Sequence, residues 1–296
     1  MATSQISHLK RLRTKAGLTQ QALAARLGVP KADVAAWERD LSRASVSQLK
    51  DMAIVLDVYV DTIRGAETPY EEVEESPFAV HTSRGAAYGT LKLTFAGAPS
   101  EYPIDEPSRV ALLTQLSGWE PQEGGDSTRW LYATTLNNLV LYANSDYLKQ
   151  VELISDDAEQ MPGFEHPEVY NELESWDLRG HEEVGPVLLR RCEEVIESVG
   201  EEEAIQRARA ARILTPDDHV SWHMMISSED VLGFHLLELE AGEGIPRNSF
   251  IRTVTEGYHR ELYVNLSQTA LIEVPANCLL RLHASGLFEG IEGAST

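Results

Sequence analysis

Cysteine and long apolar runs are both scarce in this chain of 296 residues. Its two cysteines, Cys192 and Cys278, lie far apart and form no Cys-x-x-Cys pair, so the sequence predicts neither a zinc knuckle nor a disulfide framework. No apolar run approaches the roughly 18 residues that a membrane-spanning helix needs. Residues 1–15 also lack the apolar centre of a secretory signal. We therefore expect a cytoplasmic protein that does not associate with a membrane.

Motifs typical of enzyme active sites are missing as well. The sequence has no Gly-rich phosphate loop, no Gly-x-Ser-x-Gly elbow and no His-Glu-x-x-His helix. Carboxylates are abundant, but they occur in solvated clusters such as EEVEES at 71–76 rather than in pairs whose surroundings would separate two pKa values. The sequence thus predicts a protein that is not an enzyme and needs no cofactor.

The best candidate for a metal site is the segment PDDHVSWH at 216–223. Strand alternation would place His219, Ser221 and His223 on one face, with Asp217 or Asp218 as a further ligand. No closed set of ligands is formed, however, and the histidines fall on the polar side of the alternation. We therefore interpret both histidines as surface residues and expect no metal.

Positive charge is in short supply, and it is unevenly distributed. The formal net charge of the chain is −22. Residues 1–65 nevertheless hold ten Lys and Arg against six Asp and Glu, a net charge of +4, whereas residues 66–296 carry −26. A small basic module can approach phosphate, while the acidic remainder would be repelled by it.

The basic module has the pattern of a bundle of five short helices. Thr19 is a good N-cap for the second helix, Gly28 suits its left-handed end, and Pro30 suits the first turn of the third. Val34 and Trp37 give this third helix one inward apolar face. Short helices joined by tight turns predict a compact domain over residues 1–65.

Three stretches of the module resemble the helix-turn-helix domain of the Cro and phage-repressor type, also called the xenobiotic response element (XRE) family of bacterial regulators. They are LRTKAGLTQQALAARLGV at 12–29, VAAWER at 34–39 and LKDMAIVLDV at 49–58. The resemblance covers residues about 4–65 and leaves the rest of the chain unassigned. It implies a λ-repressor-like fold and binding to double-stranded DNA, although bundles of this kind also serve as protein-binding modules.

The resemblance also implies which residues contact DNA. The second helix would lie across the DNA backbone and the third would enter the major groove. Gln20 matches a position that contacts phosphate or supports the reading helix, four positions of the third helix match base-reading residues, and three that follow it match backbone contacts. Together these positions are Gln20, Lys31, Ala32, Asp33, Ala36, Arg39, Ser42 and Arg43.

Two further features of the module concern its charges. Arg13 and Glu38 match a buried or half-buried ion pair of the family, and we interpret both as structural. Asp40 stands where the family usually has glycine. Because the third helix is rich in alanine, we expect specificity to depend partly on methyl contacts with thymine or on DNA shape.

Beyond a linker at 66–88, the sequence predicts an acidic α+β domain at 89–296. TLKLTF at 90–95 alternates like a half-buried strand. Shifting the chain by 131 residues superimposes Arg129–Leu153 on Arg260–Ala284 without a gap. We infer two similar β-rich units, at about 89–160 and 217–290, although two generic strand patterns can also match by chance.

A helical segment at about 163–215 separates the two units. Its longest helical pattern carries an apolar stripe that includes Leu188, Val195 and Val199, and Cys192 belongs to this stripe as a small buried residue. We expect the stripe to pack on the sheets of the same domain, with a dimer face as the alternative.

Taken together, the sequence predicts a multidomain α+β protein that acts as a sequence-specific transcriptional regulator, in particular a repressor. It would bind its operator as a homodimer, and the acidic domain would dimerise the protein or receive a signal. The alternative is an antitoxin-like or accessory protein whose acidic domain binds a basic protein partner.

Overall fold

The chain divides into two compact units in a computed structural model. The first contains the amino-terminal residues and His166–Ala204, and the second contains residues 85–165 and Ile205 onward. The structure describes residues 7–65, 87–118, 127–155, 161–178, 180–225, 231, 233, 234, 237, 244–254 and 261–284.

Helices and strands occupy most of these residues. The helices are α1 (His8–Lys15), α2 (Gln20–Leu27), α3 (Lys31–Trp37), α4 (Val46–Leu56), α5 (Val60–Arg64), α6 (Glu106–Ser117), α7 (Pro167–Leu173), α8 (Pro186–Val199), α9 (Glu201–Arg209) and α10 (Ala276–Ala284). The strands are β1 (Ala87–Thr94), β2 (Ser100–Asp105), β3 (Ser127–Thr128), β4 (Trp130–Thr134), β5 (Leu139–Asn144), β6 (Gln150–Ile154), β7 (Ala210–Leu214), β8 (Val220–Met224), β9 (Ile245–Pro246), β10 (Phe250–Val254), β11 (Glu261–Asn265) and β12 (Leu271–Pro275).

Local signals define the helices of the first unit. The Thr19 hydroxyl caps α2 by accepting a hydrogen bond from the Ala22 amide, and Ser45 and Gln48 form a capping box at the start of α4. Gly28 ends α2 in the left-handed conformation, as predicted, with φ of 68°. Helices α1–α5 enclose one apolar core that includes Leu23, Val34, Trp37, Met52 and Ile63.

The buried part of the α8 stripe packs on helices of the first unit, whereas we expected it to pack on the sheets. Leu188 and Cys192 are fully buried, which confirms the predicted burial of Cys192. The Cys192 thiol lies against the carbonyl of Val169 in α7. Val187 packs on the core of the α1–α5 bundle. Periodicity identified the apolar face of the helix, but it carries no information about which surface that face covers.

The second unit is built on antiparallel sheets. One has three strands in the order β2-β1-β6, and the other has five in the order β4-β5-β12-β7-β8. Alternate residues of the five-stranded sheet bury both of its faces. Leu131 and Leu141 share a core with Leu91 of β1, and Trp130 and Tyr142 belong to a second core.

The unit also has a buried polar group beside the five-stranded sheet. Glu273 of β12 accepts hydrogen bonds from the Tyr102 hydroxyl and, at 2.6 Å, from the Arg212 guanidinium. Burial raises the pKa of Glu273, and the charge of Arg212 opposes that shift. Arg212 lies on β7, which sequence periodicity had assigned to the helical segment; the pairing of β7 with β12 and β8 makes it a strand.

The offset of 131 residues matches the structure in part. It carries β4 onto β11, β5 onto β12 and most of β1 onto β8. It fails at β6, whose counterpart lies in helix α10. Moreover, β5 pairs with β12 in a single sheet while β11 pairs with β10, so the two predicted units do not form separate sheets. Their origin by duplication stays a prediction.

Among the residues that the structure describes, no helix is both long enough and apolar enough to cross a bilayer.

Candidate nucleic-acid interface

Three side chains fix the orientation of α2 and α3. Glu38, which follows α3, accepts a hydrogen bond from Nε of Arg13 on one carboxylate oxygen and from Nε2 of Gln20 on the other, each at 2.6 Å. Arg13 also donates to the carbonyl of Leu18 at 2.6 Å. Arg13 and Glu38 are buried, which confirms the predicted structural ion pair. Gln20 thus contacts the residue that follows α3. Its role at DNA, as a phosphate contact or as support of the reading helix, stays a prediction.

The solvent side of α3 carries the four residues predicted to read bases. Lys31 and Ala32 are exposed, Asp33 and Ala36 are half-buried, and Val34 and Trp37 face the core. The helix thus presents one cationic and one anionic side chain among methyl groups. Such a surface offers few hydrogen bonds to base edges, and specificity through thymine methyl groups and DNA shape stays a prediction.

Asp40 organises the turn that follows α3. Its carboxylate accepts hydrogen bonds from the hydroxyl of Ser42 at 2.7 Å and from Nε of Arg43 at 3.3 Å. The Ser42 hydroxyl bond, together with the Ser42 amide and Arg43, lowers the pKa of Asp40. Arg39, Ser42 and Arg43 are all exposed. The turn therefore holds the predicted backbone contacts on the surface, with an acidic partner where the family usually has glycine.

Helix α4 contacts α7 and α8 through a set of polar groups that sequence reasoning missed. The Lys50 ammonium lies 3.4 Å from Glu172 and 3.7 Å from Glu168. The Asp51 carboxylate accepts a hydrogen bond of 2.9 Å from the Leu188 amide in the first turn of α8. A Cβ atom at Gly185 would lie only 2.4 Å from that carboxylate, so the close approach depends on glycine.

One sequence signal pointed to this contact. The segment GPVLL starts α8 with Gly185 at the N-cap, and glycine has no side chain to accept the free amides of a helix start. An acceptor from elsewhere in the fold was therefore required, but the sequence could not show that Asp51 supplies it.

Burial changes the pKa values of both acidic partners. Burial raises the pKa of Asp51, and the amides of Leu188 and Val187 oppose the shift. Burial also raises the pKa of Glu168, and the charge of Lys50 opposes that shift.

Two cavities lie beside this contact within the first unit. The larger has a volume of about 430 Å³ and is lined by residues that include Ser47, Lys50, Glu172, Glu182 and Glu183. The smaller, of about 240 Å³, brings residues 182–186 to the α2–α3 turn at Gly28 and to Ser45 at the start of α4. The acidic pair Glu182 and Glu183 therefore lies along the helix-turn-helix bundle.

The histidine segment of the second unit differs from its prediction. His223 is buried, with 7% of its surface exposed, whereas Trp222 is 40% exposed. The prediction that His223 is a surface residue is therefore wrong, because apolar content alone does not fix which side chains of an edge strand meet the core. His219 is exposed, as predicted. Within the described ranges, no group of three or more His, Cys, Asp or Glu side chains could hold a metal ion.

The comparisons with known proteins agree with the geometry of the amino-terminal bundle. A search of curated proteins and of solved structures found no match to the chain. A family model described as helix-turn-helix matches residues 9–63. Residues 9–63 are therefore a helix-turn-helix domain of the XRE type.

Proposed function

We propose that this protein is a sequence-specific DNA-binding transcriptional regulator, acting as a repressor from an operator that it binds as a homodimer. The helix-turn-helix domain supports a DNA-binding regulator of the XRE type. The single observation that carries the finer proposal is that the predicted contact residues between Lys31 and Arg43 are exposed or half-buried, as entry of the third helix into the major groove requires.

Within this proposal, the residues divide by role. Lys31, Ala32, Asp33 and Ala36 contact base edges, and Arg39, Ser42 and Arg43 contact the DNA backbone. Gln20 acts through Glu38, to which it is hydrogen bonded. Backbone contacts set affinity and register, whereas base contacts set specificity.

Dimerisation is proposed on physical grounds. A single module of this size buries roughly 600–1,000 Å² of surface on DNA, which limits both affinity and specificity. When two copies bind two half-sites, the complex discriminates between DNA sequences at both half-sites. We assign the dimer contact, or the reception of a signal, to the part of the acidic domain that belongs to the second unit, residues 85–165 and Ile205 onward.

Fluorescence anisotropy of the intact protein with duplex DNA from upstream of its own gene tests the proposal. Arg43→Gln should weaken binding to all duplexes alike and reduce the slope of log affinity against log salt by about 0.9, because one phosphate contact is lost. Lys31→Ala should instead reduce discrimination at one base pair by about 1–3 kcal/mol.

Arg64→Gln is the matched control, since Arg64 is an exposed arginine of the same domain that pairs with Asp61 at the end of α5. It removes the same charge and should leave the slope unchanged. Equal effects of Arg43→Gln and Arg64→Gln, or no binding by the intact protein at low salt, would count against the proposal.

A net charge of −26 on residues 66–296 favours a second candidate function, in which the acidic region binds a basic protein partner. This role is compatible with DNA binding. Affinity capture with the intact protein should then recover a basic partner whose binding weakens as salt rises. Recovery of no basic partner would count against this second function.

A further inference from the structure

The segment 166–204 is the most acidic described part of the first unit. It carries twelve Asp and Glu against three Arg, a net charge of −9. It forms one compact unit with the helix-turn-helix domain, whose residues 1–65 carry +4. The domain that must approach phosphate therefore does so with an acidic segment packed on it, and like charges oppose that approach.

The acidic pair of this segment lies close to the predicted DNA-facing residues. Glu182 and Glu183 are exposed, and they line a cavity together with Ser45 and Gly28. Ser45 follows Arg43 by only two residues, which limits their Cα separation to about 7 Å. Glu182 and Glu183 thus line the same cavity as a residue that closely follows the predicted backbone contacts, and at an ionic strength of about 0.01 M their charge acts over about 30 Å.

The same segment also neutralises a cation of the helix-turn-helix domain. Lys50 of α4 is held by Glu168 and Glu172 of α7, at 3.7 and 3.4 Å. Both carboxylates are themselves largely buried, so this lysine is compensated inside the unit rather than presented to DNA.

Specific hydrogen bonds hold the segment in this position. Asp51 accepts the Leu188 amide at 2.9 Å, and His166 Nε2 lies 3.1 Å from the Val58 carbonyl oxygen. Leu188 is fully buried beside these contacts. The acidic segment is thus part of the folded unit rather than a loosely tethered arm.

We propose that segment 166–204 is an autoinhibitory element, in which Glu182 and Glu183 oppose the phosphate backbone and lower the affinity of the helix-turn-helix domain for DNA. The proposal rests on the DNA-binding function proposed above. It predicts that neutralising this pair strengthens binding to any duplex, because the effect is electrostatic and independent of base sequence.

The test compares two double variants of the full chain by anisotropy on one duplex at low salt. Glu182→Gln/Glu183→Gln should lower Kd by about three- to tenfold, and the gain should shrink as salt is raised. Glu193→Gln/Glu197→Gln makes the same charge change at exposed positions on the side of α8 away from Leu188, and should change Kd by less than about twofold. Unfolding temperatures of both variants verify that the fold is kept.

The outcomes separate the two proposals. Binding by the wild-type chain with equal Kd in the Glu182/Glu183 variant, or with equal gains in both variants, overturns autoinhibition and leaves the DNA-binding function in place. No binding by the wild type and by both variants overturns the DNA-binding function and autoinhibition with it.

Discussion

At the scale of single residues, Glu38 connects three helices of the DNA-binding domain. Its two carboxylate oxygens accept hydrogen bonds from Arg13 and Gln20. The resemblance to the family predicted the ion pair of Arg13 and Glu38. It did not decide whether Gln20 contacts phosphate or supports the reading helix.

Glu38→Ala should destabilise the first unit by about 3–5 kcal/mol, because it leaves the buried guanidinium of Arg13 without its carboxylate. Urea unfolding followed by far-ultraviolet circular dichroism measures the loss. The double variant Arg13→Met/Glu38→Ala should recover part of it, since no unpaired charge then remains. A single variant as stable as the wild type would show that the pair is dispensable.

Asp51 provides a prediction about pH. Burial raises the pKa of this carboxyl in the folded state, so its contribution to stability is fully present below the unfolded pKa of about 3.9 and is lost as pH rises through the raised folded value. Asp51→Asn retains an oxygen that can accept the Leu188 amide but does not titrate. We therefore expect the unfolding temperature of Asp51→Asn, relative to wild type, to increase between about pH 4 and about pH 7.

Asp51→Ala is the matched variant for this comparison. It removes the acceptor altogether and should cost about 1–3 kcal/mol at either pH, because the Leu188 amide is left buried without a partner. A relative stability of Asp51→Asn that falls with rising pH would contradict the account, since the charged carboxylate would then be the stabilising form.

At the scale of elements, the difference between prediction and structure is clearest in α8. Its apolar stripe and the burial of Cys192 followed from helical periodicity alone. Its packing partner did not, because an amphipathic face fits any apolar surface of suitable shape. The same limit applied to β8, where the sequence did not show that His223 is buried and Trp222 exposed. By contrast, α1–α5 were predictable because caps and turns, such as Thr19 and Gly28, are encoded within a few residues.

Leu188→Ala tests whether α8 is part of the helix-turn-helix unit. Leu188 is fully buried beside Asp51, so its truncation should destabilise that unit by about 2–5 kcal/mol through lost burial and the cavity left behind. Leu178→Ala, at a site that is 67% exposed, is the control and should change stability by less than about 0.5 kcal/mol.

Hydrogen exchange locates the effect of Leu188→Ala. Amides of α4 should lose protection together with those of α8. Loss confined to α8, with α4 unchanged, would mean that the helix contributes little to the DNA-binding domain.

At the scale of the whole molecule, charge is the property that connects fold to function. The sequence showed a basic module of +4 and an acidic remainder of −26. In the structure the basic and acidic regions do not form separate units, because the acidic residues 166–204 belong to the same compact unit as the basic module. Sequence position separates these charges by about a hundred residues of chain, and no pattern in composition could show that they meet.

The central claim is that the surface from Lys31 to Arg43 reads DNA sequence, and selection from a pool of random duplexes by the intact protein tests it most directly. The account predicts enrichment of one motif, arranged as two inverted half-sites about 10 base pairs apart, with one position relaxed in the Lys31→Ala variant. A pool that stays random through repeated rounds, or the wild-type motif selected unchanged by the double variant Lys31→Ala/Asp33→Ala, would contradict it.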